Sequence, residues 1–292
     1  MNGLTEIKNP ETSHTALNVL SYHLLIESGR NRIYSGKPSG EDVTEIQAAD
    51  AVILPQGCKE PLYRLARQYC THVFPNYDAF FSYPGKTGQA TLFKTMKVPH
   101  PHTLIFENLA CFAERGKNIR TYPFVFKFAW GGEGNNVFFV QSLPELNTCL
   151  DLAKKWEGQG KNGFVIQEYI PSAGRSLRVV VIGSRFISYW RTQQDQNSFY
   201  SNISRGAEID KDNDPDLQEA AVRELKKFCE RTKINLAGFD FLFDSRQKKP
   251  TPLFLEINYF FRCHGLGGTD RYFQLLVGAV NEWLAGIKSD GP

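Results

Sequence analysis

Ala237-Gly238-Phe239-Asp240 and Leu255-Glu256-Ile257-Asn258 are the two stretches that decide the interpretation of this 292-residue sequence. Each belongs to an apolar run that predicts a β-strand, over residues 238–244 and 253–260. The polar segment 245–252 between them predicts a hairpin loop. The two strands are therefore expected to be neighbours in one sheet, with their acidic and amide side chains close together.

Those side chains form the most informative cluster in the sequence. Alternate residues of a strand project to one face, so Glu256 and Asn258 share a face, and the neighbouring strand brings Asp240 beside them. Carboxylate and amide oxygens are the ligands that Mg²⁺ or Mn²⁺ prefers. The pattern thus predicts a metal site. The alternative is that these acids face solvent or pair with Arg178 or Arg191.

A glycine-rich loop lies between the predicted strands 122–128 and 137–141. Its glycines allow backbone N–H groups to approach phosphate oxygens, and Lys127, just before the loop, supplies a positive charge. The loop matches neither the P-loop pattern nor the dinucleotide-binding pattern. A glycine-rich hairpin turn without a ligand remains the alternative. The glycines concerned are Gly131, Gly132 and Gly134.

Two arginines are predicted to lie on one face of a further hairpin. Gly183-Ser184 is a two-residue turn between the strands 177–182 and 185–190. Counting outward from the turn places Ser176 opposite Arg191, so that Arg178, two residues after Ser176, shares the face of Arg191. Guanidinium groups bind phosphate and carboxylate oxygens in pairs, which makes these arginines candidates for anion binding.

The remaining pattern predicts an α/β protein. Residues 1–85 alternate short strand and helix signals, which favours a small parallel sheet. Helices are expected over 86–97, 143–156, 214–232 and 270–287, with Ser142 and Asp214 as the N-caps of the second and third.

In this order, the motifs resemble those of the ATP-grasp superfamily, and within it the RimK-type ligases that add glutamate to the C-terminus of a ribosomal protein. The resemblance covers about residues 85 to 270. It implies an ATP-grasp fold with three parts: an N-terminal pre-ATP-grasp domain over 1–85, a central lid of α+β type over 86–165, and a C-terminal subdomain over 166–292. The matching stretches are 85–101, 124–137, 165–170, 178–183, Arg191, 201–206, 237–240 and 255–258.

The resemblance also implies the role of each matching residue. ATP phosphates would be bound by Lys86 and Lys127, under a lid formed by the loop Gly131, Gly132 and Gly134. Glu168 and the backbone of Tyr169 and Ile170 would hold the adenine and ribose. The metal ligands would be Asp240, Glu256 and Asn258. The catalytic residues would be Arg178, which orients the acid substrate, with Arg191 and Asn202 at the γ-phosphate.

The activity implied is that of an ATP- and Mg²⁺-dependent carboxylate–amine ligase acting through an acylphosphate on a small molecule or a peptide terminus. A kinase that phosphorylates a hydroxyl and a nucleotide-binding protein without turnover are the alternatives. The sequence departs from the family at several positions. Glu133 adds an acid to the glycine-rich loop, Ser176 stands where the family usually has an acid, and Tyr259-Phe260-Phe261 replaces a turn of small residues and proline.

The composition of the sequence bears on which partners the protein binds and on the cellular compartment in which it is expected. With 34 Lys and Arg against 31 Asp and Glu, the formal charge of +3 does not indicate a nucleic-acid surface. No run of about 18 apolar residues predicts a membrane span, and the N-terminus lacks the pattern of a signal peptide. The six cysteines show no metal-binding spacing, so a reducing, cytoplasmic location is expected. The sequence does not indicate an oligomeric state.

Overall fold

The N-terminal part of the chain forms a small parallel sheet. The computed structural model describes residues 5–6, 17–116, 119, 121–131, 136–193 and 207–289. The sheet has the order β4-β2-β5-β6, and a separate two-stranded pair joins β1 to β3. Its strands are short and mostly buried, and they alternate with helices as the sequence predicts. The elements are β1 (Thr5–Glu6), β2 (Val19–Ser21), β3 (Ile26–Glu27), β4 (Arg30–Asn31), α1 (Gly40–Gln47), β5 (Ala51–Ile53), α2 (Glu60–Tyr69), β6 (His72–Phe74) and α3 (Asp78–Ser82).

The central part is an antiparallel sheet with three helices. Its strand order is β7-β10-β8-β9, and its core is rich in phenylalanine, with the rings of Phe126 and Phe164 stacked 4.7 Å apart. Aromatic side chains that alternate along β8 account for this core. The elements are α4 (Gly85–Met96), β7 (Thr103–Phe106), α5 (Leu109–Arg115), β8 (Phe124–Phe128), β9 (Val137–Val140), α6 (Leu143–Glu157) and β10 (Phe164–Glu168).

The C-terminal part is a five-stranded antiparallel sheet between two long helices. Its order is β13-β12-β11-β14-β15. Along β11, Val179 belongs to the core that includes Phe228 of the first helix, and Val180 belongs to the core that includes Leu276 of the second. The elements are β11 (Arg175–Ile182), β12 (Arg185–Thr192), β13 (Glu208–Asp210), α7 (Pro215–Thr232), β14 (Leu236–Leu242), β15 (Leu253–Asn258), a 3₁₀ turn (His264–Leu266) and α8 (Thr269–Ser289).

Helix α4 connects the central sheet to the C-terminal sheet. It packs against β7 and β10 on one side and against β15 on the other. The Gln89 side chain donates to the carbonyl of Ile257 at 2.8 Å and accepts from its N–H at 2.9 Å, so the helix is bonded to the strand. The first turn of α4, which carries Lys86, is thereby held beside the residues of β15.

The predicted α/β fold with a parallel N-terminal sheet is confirmed, and most predicted helices and strands are observed within a residue or two. Ser142 and Asp214 occupy the N-cap positions of α6 and α7, as predicted, but neither side chain makes the expected capping hydrogen bond. Asp214 pairs instead with Arg175 at 2.6 Å. The predicted domain limit between 165 and 166 falls inside β10, and the domain limits remain predictions.

Candidate active site

Asp240 lies at the centre of a buried group of charges that we call the paired-charge centre: Asp240, Arg178 and Arg191. Arg178 is the direct partner of Asp240 across β11 and β14, and its Nε and Nη2 atoms both donate to the carboxylate, the latter at 2.9 Å. Arg191 approaches Asp240 Oδ1 at 2.8 Å from β12. All three side chains are buried. The salt bridge that the sequence left open as an alternative is therefore present, to both arginines.

These contacts determine the protonation of Asp240. Burial alone would raise the pKa of its carboxyl group, because a charge in an apolar interior is poorly solvated. The guanidinium groups of Arg178 and Arg191 outweigh that effect and hold the pKa of Asp240 below its ordinary value. The carboxylate stays ionised, and the two arginines are fixed on one face of the sheet, as the hairpin pattern predicts.

Glu256 and Asn258 lie beside Asp240 on β15. Glu256 is the register partner of Asp240, and Asn258 Nδ2 donates to Asp240 Oδ2 at 3.2 Å. About a third of the Glu256 side chain is exposed, and its carboxylate is 3.9 Å from Lys86 Nζ. The structure thus brings together the three residues that the sequence predicts as metal ligands.

Two carboxylates and an amide oxygen fit the preference of Mg²⁺ for oxygen ligands. Asp240 already accepts from Arg178, Arg191 and Asn258, which fills about four acceptor positions, so metal binding at Asp240 requires one donor to move. Within the described residues, no three His, Cys, Asp or Glu side chains are grouped as metal ligands. A metal here would therefore depend on Asn258 as well as on the two acids.

A second charged region contains two lysines. We call it the lysine cavity, and it is formed by Lys86, Lys127, Gln167 and Glu256. These side chains line a cleft with a volume of about 20 Å³ between the central sheet and β15. The buried Lys127 Nζ donates to Gln167 Oε1 at 2.6 Å, and burial lowers the pKa of Lys127 to about 8. Two ammonium groups and one carboxylate leave a net positive charge, which favours an anionic ligand.

The end of the glycine-rich loop lies against the first turn of α4. Lys86 Nζ donates to the carbonyl of Gly131 at 2.9 Å, and the Lys86 N–H donates to the carbonyl of Ala129 at 3.0 Å. Gly85 and Gly131 both have positive φ, and a Cβ on either would lie within 2.5 Å of a neighbouring atom. Gly85 is therefore required by the close approach of the Ala129 carbonyl to the helix, whereas a Cβ on Gly131 would meet the Asn136 side chain across the loop.

The residues predicted to hold the adenine lie where β10 leaves the central sheet. The Glu168 N–H donates to the carbonyl of His102 at 2.8 Å, and the Tyr169 ring lies 4.7 Å from that of Phe139. Ile170 is buried. Glu168 directly follows Gln167, the partner of Lys127, so this segment continues from the lysine cavity. Gly132, Gly134 and Asn202 lie outside the described residues, as do Glu133 and the 201–206 motif.

Two glutamines that position the site were missed by the sequence interpretation. Gln167 holds the Lys127 ammonium and donates to Thr103 Oγ1 at 2.9 Å. Gln89 bonds α4 to β15. The spacing of three residues between Lys86 and Gln89, which places both on one helix face, was an available signal. Gln167 carried no such signal, because its partner comes from another strand.

Comparison with known proteins agrees with this arrangement. The family model of the RimK-like ATP-grasp domain matches residues 86–274. A probable alpha-L-glutamate ligase of Syntrophotalea carbinolica is 24% identical over 160 residues, which is 54% of this chain and 49% of the relative. One of Pectobacterium carotovorum is 29% identical over 140 residues, 47% of this chain and 42% of the relative. The chain thus spans about half the length of the curated relatives that it matches.

Solved structures support the fold. The RimK domain ATP-grasp protein of Sphaerobacter thermophilus superimposes with a TM-score of 0.57 at 17% identity, over 86% of this chain and 85% of that one. The D-alanine–D-alanine ligase of Bacillus anthracis, solved with ATP, gives a TM-score of 0.60 at 14% identity, over 91% and 89%. None of the described helices combines the length and the hydrophobicity that a membrane span requires. The fold, the order of the motifs and the family match together establish that the chain belongs to the RimK-like ATP-grasp family.

Proposed function

We propose that the protein is an ATP- and Mg²⁺-dependent carboxylate–amine ligase that acts through an acylphosphate on a small molecule or a peptide terminus. The observation that carries this proposal is the convergence of two lysines and three oxygen-bearing side chains where the central sheet meets β15. The curated relatives, named probable alpha-L-glutamate ligases, support the same class of reaction.

In this proposal the lysines of the lysine cavity bind the phosphates of ATP, and the cleft of about 20 Å³, which has room for about one water molecule, widens to admit them. Lys127 has a neutral hydrogen-bond partner and is buried, and attraction to an anion is stronger where water is excluded. Lys86 stands at the first turn of α4, where the helix dipole also favours negative charge. Glu168, Tyr169 and Ile170 would hold the adenine and ribose, and the glycine-rich loop would cover the phosphates.

Asp240, Glu256 and Asn258 would hold Mg²⁺, which when bound neutralises charge on the phosphate oxygens. Arg178 and Arg191 already point toward this region, since both contact Asp240. Arg178 would orient the substrate carboxylate, and Arg191, with Asn202 outside the described residues, would face the γ-phosphate. Ser176 accepts hydrogen bonds from Arg191 at 2.9 and 3.2 Å, which fixes the guanidinium group on this face.

The reaction requires no nucleophilic side chain. A carboxylate oxygen of the substrate attacks the γ-phosphorus of ATP, the bond to ADP breaks, and an acylphosphate forms. The amine then attacks the acyl carbon, phosphate leaves, and the amine loses a proton. What the protein supplies is positioning and positive charge, which are the main requirements of phosphoryl transfer.

All six cysteines are free, which supports a reducing, cytoplasmic location.

ADP release measured with panels of acids and amines tests the proposal. We expect release that requires an acid and an amine together, and hydroxamate formation when hydroxylamine replaces the amine. Lys86→Met should reduce this release strongly, whereas Lys94→Met, an exposed lysine on the same helix, should not. ADP release that requires neither substrate would contradict a ligase. A stable phosphorylated product without hydroxamate would favour the kinase instead.

A further inference from the structure

An aromatic surface lies beside the candidate active site, at the turn after Asn258. We call it the aromatic wall, and it consists of Phe80, Trp130 and Phe260. A cavity with a volume of about 390 Å³ has the apolar side chains Phe80, Trp130 and Phe260 on its lining, together with the polar groups of Lys86, Gln89, Glu256 and Asn258. Phe260 is 55% exposed, which is unusual for a phenylalanine beside a polar site. Ligand cavities that combine an apolar lining with a few polar groups are typically about 300–1,000 Å³, so the volume suits one small molecule.

Contacts on both sides hold this wall in place. The Phe260 ring meets Phe80 edge to face, with centroids 5.4 Å apart, and Phe80 packs on Tyr259 at 4.6 Å. Gln56 Nε2 donates to the Tyr259 carbonyl at 2.9 Å, and the Tyr272 hydroxyl donates to Gln56 Oε1 at 3.1 Å. The exposed face of Phe260 is therefore presented by a fixed turn.

The wall also lies at the edge of the N-terminal sheet where a ligand is expected. Gln56 follows β5 and Phe80 lies on α3 after β6, and these are adjacent parallel strands. In open parallel sheets, ligands bind outside the carboxyl ends of the strands. The segments that follow both strands thus meet the residues of β15 at the same cavity.

We propose that the acid substrate of this ligase carries a bulky apolar side chain, aromatic or branched aliphatic, that packs on Phe80, Trp130 and Phe260. Its carboxylate then lies toward Lys86 and Asn258, on the side of the cavity where the phosphates and metal are proposed to bind. This inference rests on the proposed function and adds the substrate class to it. It also accounts for the exposed Phe260 in the turn Tyr259-Phe260-Phe261, whose other two aromatic residues are buried.

Hydroxamate formation with ATP, Mg²⁺ and saturating hydroxylamine tests the inference, because the product identifies the activated acid. We expect L-phenylalanine and L-leucine to exceed L-alanine and L-glutamate in kcat/KM by about tenfold or more. Phe260→Ala should lower kcat/KM for L-phenylalanine about tenfold and change that for L-alanine less than twofold. Tyr69→Ala removes an exposed aromatic ring on α2 and is the matched control, for which no change is expected.

The outcomes separate this inference from the proposed function. Hydroxamate from L-glutamate but not from apolar acids, with no effect of Phe260→Ala, would overturn the substrate class and leave the ligase intact. ADP release with L-phenylalanine only when another acid is present would make it the amine and would also overturn the inference. If no acid gives ADP or hydroxamate, the proposed function fails. Equilibrium dialysis of L-phenylalanine then tests whether the cavity binds an apolar side chain. Binding that is weakened by Phe260→Ala would support this role of the cavity, and the absence of binding would reject it.

Discussion

In the paired-charge centre Asp240 accepts hydrogen bonds from two buried guanidinium groups, whereas in the lysine cavity the buried Lys127 ammonium donates to a neutral amide. Both groups lie in the interior, where an uncompensated charge is costly. The first therefore has its compensation within the chain, whereas no carboxylate of the described residues lies as close to the Lys127 ammonium as Asp240 lies to its arginines. We infer that the phosphates of ATP compensate the charge of Lys127 when they bind. The paired-charge centre, in contrast, keeps its geometry without a ligand.

The largest expected effect comes from breaking the paired-charge centre. Asp240→Asn leaves two buried arginines without their carboxylate, and removal of one partner from a buried ion pair typically costs about 3–5 kcal/mol. We expect a loss of that size in the free energy of unfolding, measured with urea, and no measurable ADP release. Asp212→Asn, at an exposed loop position, is the control and should change the free energy of unfolding by less than about 0.5 kcal/mol.

The opposite result is expected in the lysine cavity. Lys127→Met keeps the length of the side chain and removes its charge, so the free energy of unfolding should stay the same or rise. The fall in the pKa of Lys127 from 10.5 to about 8 corresponds to about 3 kcal/mol, which is the gain expected from removal of the charge alone. Affinity for an ATP analogue should fall about 10- to 100-fold, as measured by calorimetry. A variant as unstable as Asp240→Asn would contradict the contrast between the two regions.

The pH dependence of stability sharpens the same contrast. Burial lowers the pKa of Lys127 to about 8 in the folded chain, below its ordinary value, so between about pH 8 and pH 10 the unfolded chain binds more protons. The free energy of unfolding contributed by Lys127 should therefore rise with pH over that range. Subtracting the values for Lys127→Met from those of the unaltered protein isolates this contribution, because the other titrating groups cancel. A flat difference would contradict the burial of a charged Lys127.

The smallest change in stability is expected at Glu256, which belongs to the lysine cavity and is the strand partner of Asp240. Its carboxylate is partly exposed and 3.9 Å from Lys86, so Glu256→Gln should change the free energy of unfolding by less than about 1 kcal/mol. The same variant should lose most of the Mg²⁺ dependence of ATP binding, which calorimetry with and without the metal measures. Unaltered Mg²⁺ dependence would remove Glu256 from the proposed metal ligands.

The sequence predicted best what depends on local periodicity. Alternation along β15 placed Glu256 and Asn258 on one face, and the Gly183-Ser184 turn gave the register of Arg178 with Tyr189. The predicted capping hydrogen bonds are not formed, because a side chain at the start of a helix can bond to another partner. Asp214 is bonded to Arg175, and the Glu145 carboxylate accepts from the Gln141 N–H although Ser142 does not cap the helix.

Contacts between distant segments could not be decided from the sequence. Lys127 and Gln167 come from two strands whose pairing depends on the tertiary fold, and the pairing of Asp240 with two arginines requires three strands. The sequence presented the metal site and the salt bridge as alternatives. The structure shows that the acid predicted to bind metal is also the partner of both arginines, so the two interpretations concern the same carboxylate.

The central claim is that Mg²⁺ and ATP bind where the lysine cavity meets β15. A thermal unfolding titration with the non-hydrolysable analogue AMP-PNP, with and without Mg²⁺, tests it most directly. At a hundredfold excess over Kd, we expect stabilisation of about 2.7 kcal/mol, a shift of a few degrees, that requires Mg²⁺ and is lost in Lys127→Met. No shift with AMP-PNP in the presence of Mg²⁺ would contradict the claim, and the charged groups of the cavity would then be structural.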